Sequence, residues 1–265
     1  MLQYTPWKTE QKQFDPNNEI QVEEQLAFSN GYISQYAFFE EPYSGEQHVG
    51  TFVEGVLHAG SSTPLEVPNP AIISLRLGDE RLDLHHWRVE KFYRCLHKGD
   101  VTLERRFTAT SPKGYTVEVT AKRQLCVKNP HLMELEYSVK FINYQGLISF
   151  MALMGDNSHQ DQWYPLQTSV DDEVAYMWIQ ATEGDIQLCG AQRHALYKNG
   201  VIQPDRPVKI DKKRVLGFAY MTDVEPGDTF TMKTGVAIVD SHRYAKAELP
   251  QRAIEKLGMM QASAE

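Results

Sequence analysis

The sequence predicts an all-β fold: a large antiparallel β-sandwich carrying a C-terminal linker-type helix. Three observations predict it. Hydrophobicity alternates with a period of two along several runs, short turn signals separate those runs, and a helical pattern takes over after Asp240. Successive side chains of a strand point to opposite faces, so this alternation marks one dry and one wet face, as antiparallel sheets have.

The stretch from Ser29 to Leu57 organises the N-terminal part. Asn30-Gly31 is a turn signal, because glycine tolerates a positive φ without steric cost. An aromatic-rich run from Tyr32 to Phe39 follows and ends at the acid pair Glu40-Glu41. Pro42, Gly45 and Gly50 then punctuate a polar loop before a strand-like run, Thr51 to Leu57. By its chemistry this is either a ligand-facing edge or an ordinary surface hairpin.

Further on, Val101, Leu103, Phe107 and Ala109 alternate with polar residues, as do Tyr115, Val117, Val119 and Ala121, and then Met133, Leu135, Tyr137, Val139 and Phe141. Arg105 is the misfit, a charge on an apolar face. An unpaired buried charge costs several kcal/mol, so Arg105 is expected to meet a carboxylate or a strand end. Gly78-Asp79, Pro112 to Gly114, Asn199-Gly200 and Pro226 to Asp228 read as turns. Further strands are expected near 71–77, 80–84, 87–96, 147–154, 174–180, 185–192, 214–222 and 229–239. Strands this numerous imply two packed sheets over residues 1–240. Residues 241–265 form the helical linker and tail: Ala245, Ala247, Ala253, Ile254 and Leu257 supply an apolar side, Pro250 suits a first turn, and Gly258 is expected to stop the helix. That helix either folds back on the sheets or leads away from them.

Bulk properties narrow the function. With 265 residues, 23% charged and 11% aromatic, the chain is an ordinary globular protein rather than a disordered one. A net charge of -8 argues against a nucleic-acid partner, and the basic cluster Lys209 to Arg214 reads as a solvated strand end. No apolar run is long enough to span a bilayer, and the opening MLQYTPWKTEQK lacks the plan of a signal peptide. Cys95, Cys126 and Cys189 are odd in number and widely spaced, which predicts reduced thiols in a cytoplasmic protein, without a disulfide framework or a zinc knuckle.

Asn30, Gly31, Tyr32, Phe39, Glu40, Glu41, Gly50, Thr51, Phe52 and Gly55 resemble, in order and spacing, the opening of glycoside hydrolase family 65. The likeness continues through Thr63 to Pro70, Gly78 to Asp83, Tyr93, Leu96, Gly99, Leu103 to Arg105 and Arg123, and spans about residues 20 to 257. It implies a β-sandwich of the galactose-mutarotase type (a supersandwich) from an enzyme acting on maltose, trehalose, kojibiose or nigerose by phosphorolysis or hydrolysis. It also implies a partner, the helical barrel that carries the catalytic glutamate, and a homodimer formed through this domain. The 265 residues end before such a barrel, so no catalytic residue is expected here. Two departures stand out: Ile33 to Ala37 replaces a leucine-glycine-x-arginine-glycine continuation, and Pro70 stands where an aromatic is common.

The candidate saccharide-binding residues fall in two places. Trp163 and Tyr164 can stack on a pyranose while Asp156, Asn157, His159 and Asp161 bond its hydroxyls; Glu40 and Glu41 form the second group. The alternative is an acidic loop packing over a sheet end. His159, Asp161 and Asp156 lack a second histidine at ligand spacing, so neither metal nor cofactor is expected. His85-His86, adjacent on a strand, would point to opposite faces, one half-buried beside Trp87 and one wet. Phosphate loops, nucleophile elbows and zinc-protease motifs are absent from the sequence. Three readings follow: a catalytically silent N-terminal domain, a stand-alone carbohydrate-binding module, and a mutarotase-like sugar epimerase drawing on His97, His131 or His194.

Overall fold

A computed structural model describes residues 2–155, 162–171, 173–203, 207–212 and 214–261. Its strands begin with β1 (Leu2–Tyr4), β2 (Lys8–Gln11), β3 (Phe28–Ser29), β4 (Ile33–Gln35), β5 (Thr51–Leu57), β6 (Pro64–Glu66) and β7 (Asn69–Leu77). Next come β8 (Glu80–Arg81), β9 (Arg88–His97), β10 (Thr102–Thr110), β11 (Thr116–Leu125), β12 (Leu132–Phe141), β13 (Gly146–Gly155) and β14 (Trp163–Val170). The last are β15 (Ala175–Ala181), β16 (Gln187–Lys198), β17 (Val201–Ile202), β18 (Val208–Lys212), β19 (Val215–Val224) and β20 (Thr229–Asp240). Helix α1 (Glu19–Gln25) precedes β3, and α2 (Leu249–Gln261) closes the chain.

An eleven-stranded sheet runs in the order β1-β2-β9-β10-β11-β12-β20-β16-β15-β14, with β17 added to β16. A five-stranded sheet, β18-β19-β13-β7-β8, packs against it, and a smaller sheet, β3-β4-β5-β6, forms a third unit. All pairings are antiparallel. The alternation read from sequence sets the register: Val119 pairs with Val139 and Val139 with Phe230, so their side chains share the buried face. The layers meet where Tyr137 of β12 lies 6.0 Å, ring to ring, from Phe150 of β13. The predicted β-sandwich is thus present.

Helix α2 folds back on the outer face of the large sheet. Leu249, Ala253 and Leu257, at successive i+4 positions, pack against Leu132, Cys189, Ala191, Ala237 and Val239. Gly258 does not end this helix, which continues to Gln261. A Cβ there would meet nothing, and a helical glycine costs only about 1 kcal/mol, which the packing of Leu249, Ala253 and Leu257 before it offsets.

Three other expectations change. His85 and His86 sit on a turn, not a strand, and both are exposed. The Asp83 carboxylate accepts the His85 N–H (3.1 Å), which bends the chain away from pairing. The run from Tyr32 to Phe39 supplies only the short strand β4. Helix α1 has no counterpart among the predicted elements; its buried residues are Glu19 and Glu23, so its inward stripe is acidic rather than apolar.

Candidate functional site

The segment between β4 and β5 leaves regular pairing because side chains claim its backbone. Arg94 donates to the Ala37 carbonyl (2.7 Å) and Arg123 to that of Phe38 (2.6 Å). The Ala37 N–H goes to the Glu23 carbonyl (3.1 Å), and the Glu40 carbonyl accepts from Ile73 N–H (2.9 Å). Buried backbone groups need partners, and these bonds hold residues 36–41 across the end of the sandwich.

Above that segment lies a cleft of about 710 Å³, lined in part by Phe39, Glu40, Glu41, Tyr43, Ile72 and Trp163. It joins two of the predicted groups, the acid pair and Trp163, which are more than a hundred positions apart in sequence. Tyr164, the next residue, is not part of the wall and stands exposed on β14. Asp156, Asn157, His159 and Asp161 lie outside the described residues. Trp163 is 4% exposed, and its indole N–H donates to the Glu66 carbonyl (2.7 Å).

The acid pair is held by a buried ionic network. Glu40 binds Arg105 through Oε2 (2.5 Å) and Arg123 through Oε1 (3.1 Å). Glu41 binds Arg105 through Oε2 and accepts the Tyr137 hydroxyl at Oε1. Arg105 therefore meets not one carboxylate but two. Its guanidinium also lies over the Phe39 and Phe107 rings, at 4.9 and 5.0 Å. Burial by itself raises the Glu40 pKa, but Arg105 and Arg123 outweigh it and hold the carboxyl below its usual value. Burial, with the nearby Glu41 charge, drives the Tyr137 phenol well above its ordinary range.

A second layer sits behind the first. Arg94 binds Glu19 Oε2 (2.6 Å) and reaches Gln11 Oε1 through two nitrogens (2.9 and 2.7 Å). Glu23, also fully buried, accepts the His48 N–H at Oε2 (2.5 Å) and so fixes the loop wall of the cleft. Burial pushes its carboxyl up to about 7. The Tyr43 phenol is pushed up to about 12 by burial and by the Glu19, Asp83 and Glu23 charges.

Glu40 and Glu41 position a wall and are not arranged as an acid–base pair. Glycoside cleavage by two carboxyls needs one protonated and one ionised group flanking a bond, whereas Glu40 is held ionised and both glutamates share Arg105. The three histidines considered for an epimerase do not line the cleft. His97 meets Glu104 (3.5 Å) at the surface, and His131 contacts the Ile238 carbonyl (3.0 Å). His194 lies against Phe218 (4.1 Å), where burial lowers it to about 4. Among the described residues, no group of three or more His, Cys, Asp or Glu is placed to hold a metal ion. Sequence reasoning missed Arg94, Glu19 and Glu23; two glutamates four apart ahead of the aromatic run were the signal available.

Comparison with known proteins bears on this geometry. Residues 9–265 match the family described as glycosyl hydrolase family 65, N-terminal domain. The chain is 27% identical over 171 residues to the alpha,alpha-trehalose phosphorylase of Thermoanaerobacter brockii, covering 58% of this chain and 22% of that protein. It is 27% identical over 150 residues to the kojibiose phosphorylase of Halothermothrix orenii, covering 56% of this chain and 19% of that one. It thus spans about a fifth of the length of these relatives. A solved structure, a putative kojibiose phosphorylase from human microbiome, superposes with a TM-score of 0.84 at 17% identity, over 98% of this chain and 36% of that one, and so shares the fold. With the family match extending over nearly its whole length, the chain belongs to glycosyl hydrolase family 65, as its N-terminal domain.

Proposed function

We propose that this chain is the non-catalytic β-sandwich of a family 65-like disaccharide phosphorylase or hydrolase, shaping the rim of an active site housed in a helical catalytic domain and supplying dimer contacts. The observation that carries this reading is the fully engaged acid pair: every carboxylate oxygen of Glu40 and Glu41 meets Arg105, Arg123 or Tyr137. A wall fixed this way serves position rather than proton transfer. The cleft edge, with Trp163, is the part of the rim that would face saccharide, and residues 241–265 are the link toward the catalytic domain. No described helix is long and apolar enough to cross a membrane.

The test is incubation of the chain with phosphate and maltose, trehalose, kojibiose or nigerose, followed by an assay for glucose 1-phosphate. Background rates are expected. Sustained turnover would show that the chain carries its own catalytic machinery and would overturn the reading.

A further inference from the structure

Four side-chain oxygens buried behind the cleft wall have no hydrogen-bond partner among the described residues: Glu19 Oε1, Glu23 Oε1, Gln47 Oε1 and the Tyr43 hydroxyl. Buried polar groups are almost always satisfied, so four such atoms in one neighbourhood call for a ligand. Glu19 and Glu23 stand one turn apart on the same face of α1, 1% and 0% exposed. Their other oxygens are engaged: Glu19 Oε2 meets Arg94, and Glu23 Oε2 accepts the His48 N–H. Tyr43 is 8% exposed, and the charges of Glu19, Asp83 and Glu23 all act on its phenol. A Cβ at Gly45 would lie 2.6 Å from that hydroxyl, so the loop backbone closes directly over it. Gln47 belongs to the same loop, which Glu23 pins at His48.

The chemistry of these atoms selects the ligand. All are oxygens: two from carboxylates, one from an amide and one from a hydroxyl. Oxygen-only sets suit hard cations, whereas nitrogen and sulfur ligands mark zinc and its neighbours. Only two of the four are carboxylates, in keeping with the absence of an acid- or histidine-rich trio among the described residues. Charge sets the valence. Around the cleft, Glu19, Glu23, Glu40 and Glu41 stand against Arg94, Arg105 and Arg123, so one negative charge is in surplus once Glu23 has lost its proton. A single positive charge cancels it, and a divalent ion would overshoot. Solvent reaches the junction by two routes: the cleft touches Ile20, Tyr43 and Gln47, and a separate groove of about 200 Å³ touches Glu19, Ile20 and Glu46. We propose that the junction of α1 with the loop over residues 43–48 binds a monovalent alkali cation through Glu19, Glu23, Gln47 and Tyr43. The ion takes the place of the Glu23 proton in alkali and ties the helix to the loop that walls the cleft. Without it an ionised Glu23 destabilises the fold; with it part of that loss is recovered. The site stands whether or not the wall faces saccharide.

The test is thermal unfolding at about pH 8.5, where Glu23 is ionised, in about 0.1 M potassium, sodium or tetramethylammonium chloride. The three salts screen surface charge alike, but tetramethylammonium is too bulky for a buried site. The wild-type midpoint is expected to lie about 3 °C or more higher in potassium or sodium chloride than in the tetramethylammonium salt. That gain should vanish in Glu23→Gln, which keeps an oxygen for the His48 N–H but not the charge. It should shrink in Tyr43→Phe, which keeps the ring but not the hydroxyl. Far-ultraviolet dichroism matching wild type in the tetramethylammonium salt separates lost binding from misfolding. Equal midpoints in the three salts, a gain that survives unchanged in either variant, or a response to calcium chloride with none to the alkali salts overturns the proposal. None of these results touches the turnover assay, so the two readings fail separately.

Discussion

Replacing Glu23 by glutamine should make the protein more stable in alkali while leaving it nearly unchanged in acid. Burial is the main cause of the raised pKa, and the Glu19 charge adds to it; the His48 N–H, Arg94 and Arg123 oppose it without winning. The buried set around the cleft explains the imbalance: among the described residues, Glu19, Glu23, Glu40 and Glu41 are four buried carboxyls against the three buried guanidiniums of Arg94, Arg105 and Arg123. The value rises from 4.5 to about 7 on folding. Below the unfolded value both states hold the proton, and the native state keeps its full stability. Between the two values the unfolded chain ionises first and stability falls; above about 7 the loss is complete. At 1.36 kcal/mol per unit this amounts to about 3 kcal/mol. Glutamine keeps an oxygen for the His48 N–H and carries no charge. Urea unfolding at about pH 5 and about pH 8.5 should therefore show the variant gaining up to about 3 kcal/mol on wild type at the higher pH and staying within about 1 kcal/mol at the lower. A difference that does not depend on pH, or one that favours wild type in alkali, refutes the charge argument.

Other perturbations test other parts. Arg105→Leu strands two buried carboxylates and should cost about 3–5 kcal/mol in urea unfolding, with Glu40→Gln and Glu41→Gln recovering part of the loss. Leu257→Ala removes a side chain that is 2% exposed under α2; about 2–4 kcal/mol should be lost, with faster amide exchange in β16 and β20 as the helix loosens. Gly217 has φ +143, and a Cβ there would lie 2.2 Å from the Ala152 carbonyl oxygen, so Gly217→Ala should lower the thermal midpoint sharply, by more than about 2 kcal/mol of stability. Gly99→Ala meets no atom and should be near neutral in the same measurement.

The sandwich was legible because its information is local. Period-two runs such as Val117, Val119 and Ala121 state both strand and face, and β5 spans the expected residues 51–57. Arg105 was legible as an exception: a charge on a dry face must be matched, and it is. What escaped was non-local. The route of residues 36–41 is set by Arg94 and Arg123, which come from β9 and β11, and no pattern within the aromatic run announces carbonyls pledged to distant guanidiniums. Helix α1 escaped for the same reason, since a helix that buries Glu19 and Glu23 shows no apolar stripe. His85-His86 misled because a turn anchored by the Asp83 side chain reads, residue by residue, like a strand.

The cleft therefore owes its shape to charges rather than to a ladder, and the two are not equivalent. A strand is held by many bonds of similar worth, so losing one shifts little. Residues 37–41 hang on three guanidiniums, each engaging at least two separate groups. A buried ion pair gains little net stability over a well-packed apolar one, yet breaking it from one side is expensive. Such a network leaves total stability modest while making one placement of the segment much better than its neighbours. That is the property the proposed rim role would require, since a wall facing another domain's chemistry would have to stay put to within a fraction of an ångström. The same logic accounts for Glu23, which reaches the loop through the His48 N–H and, below about pH 7, carries the proton that keeps the buried set neutral.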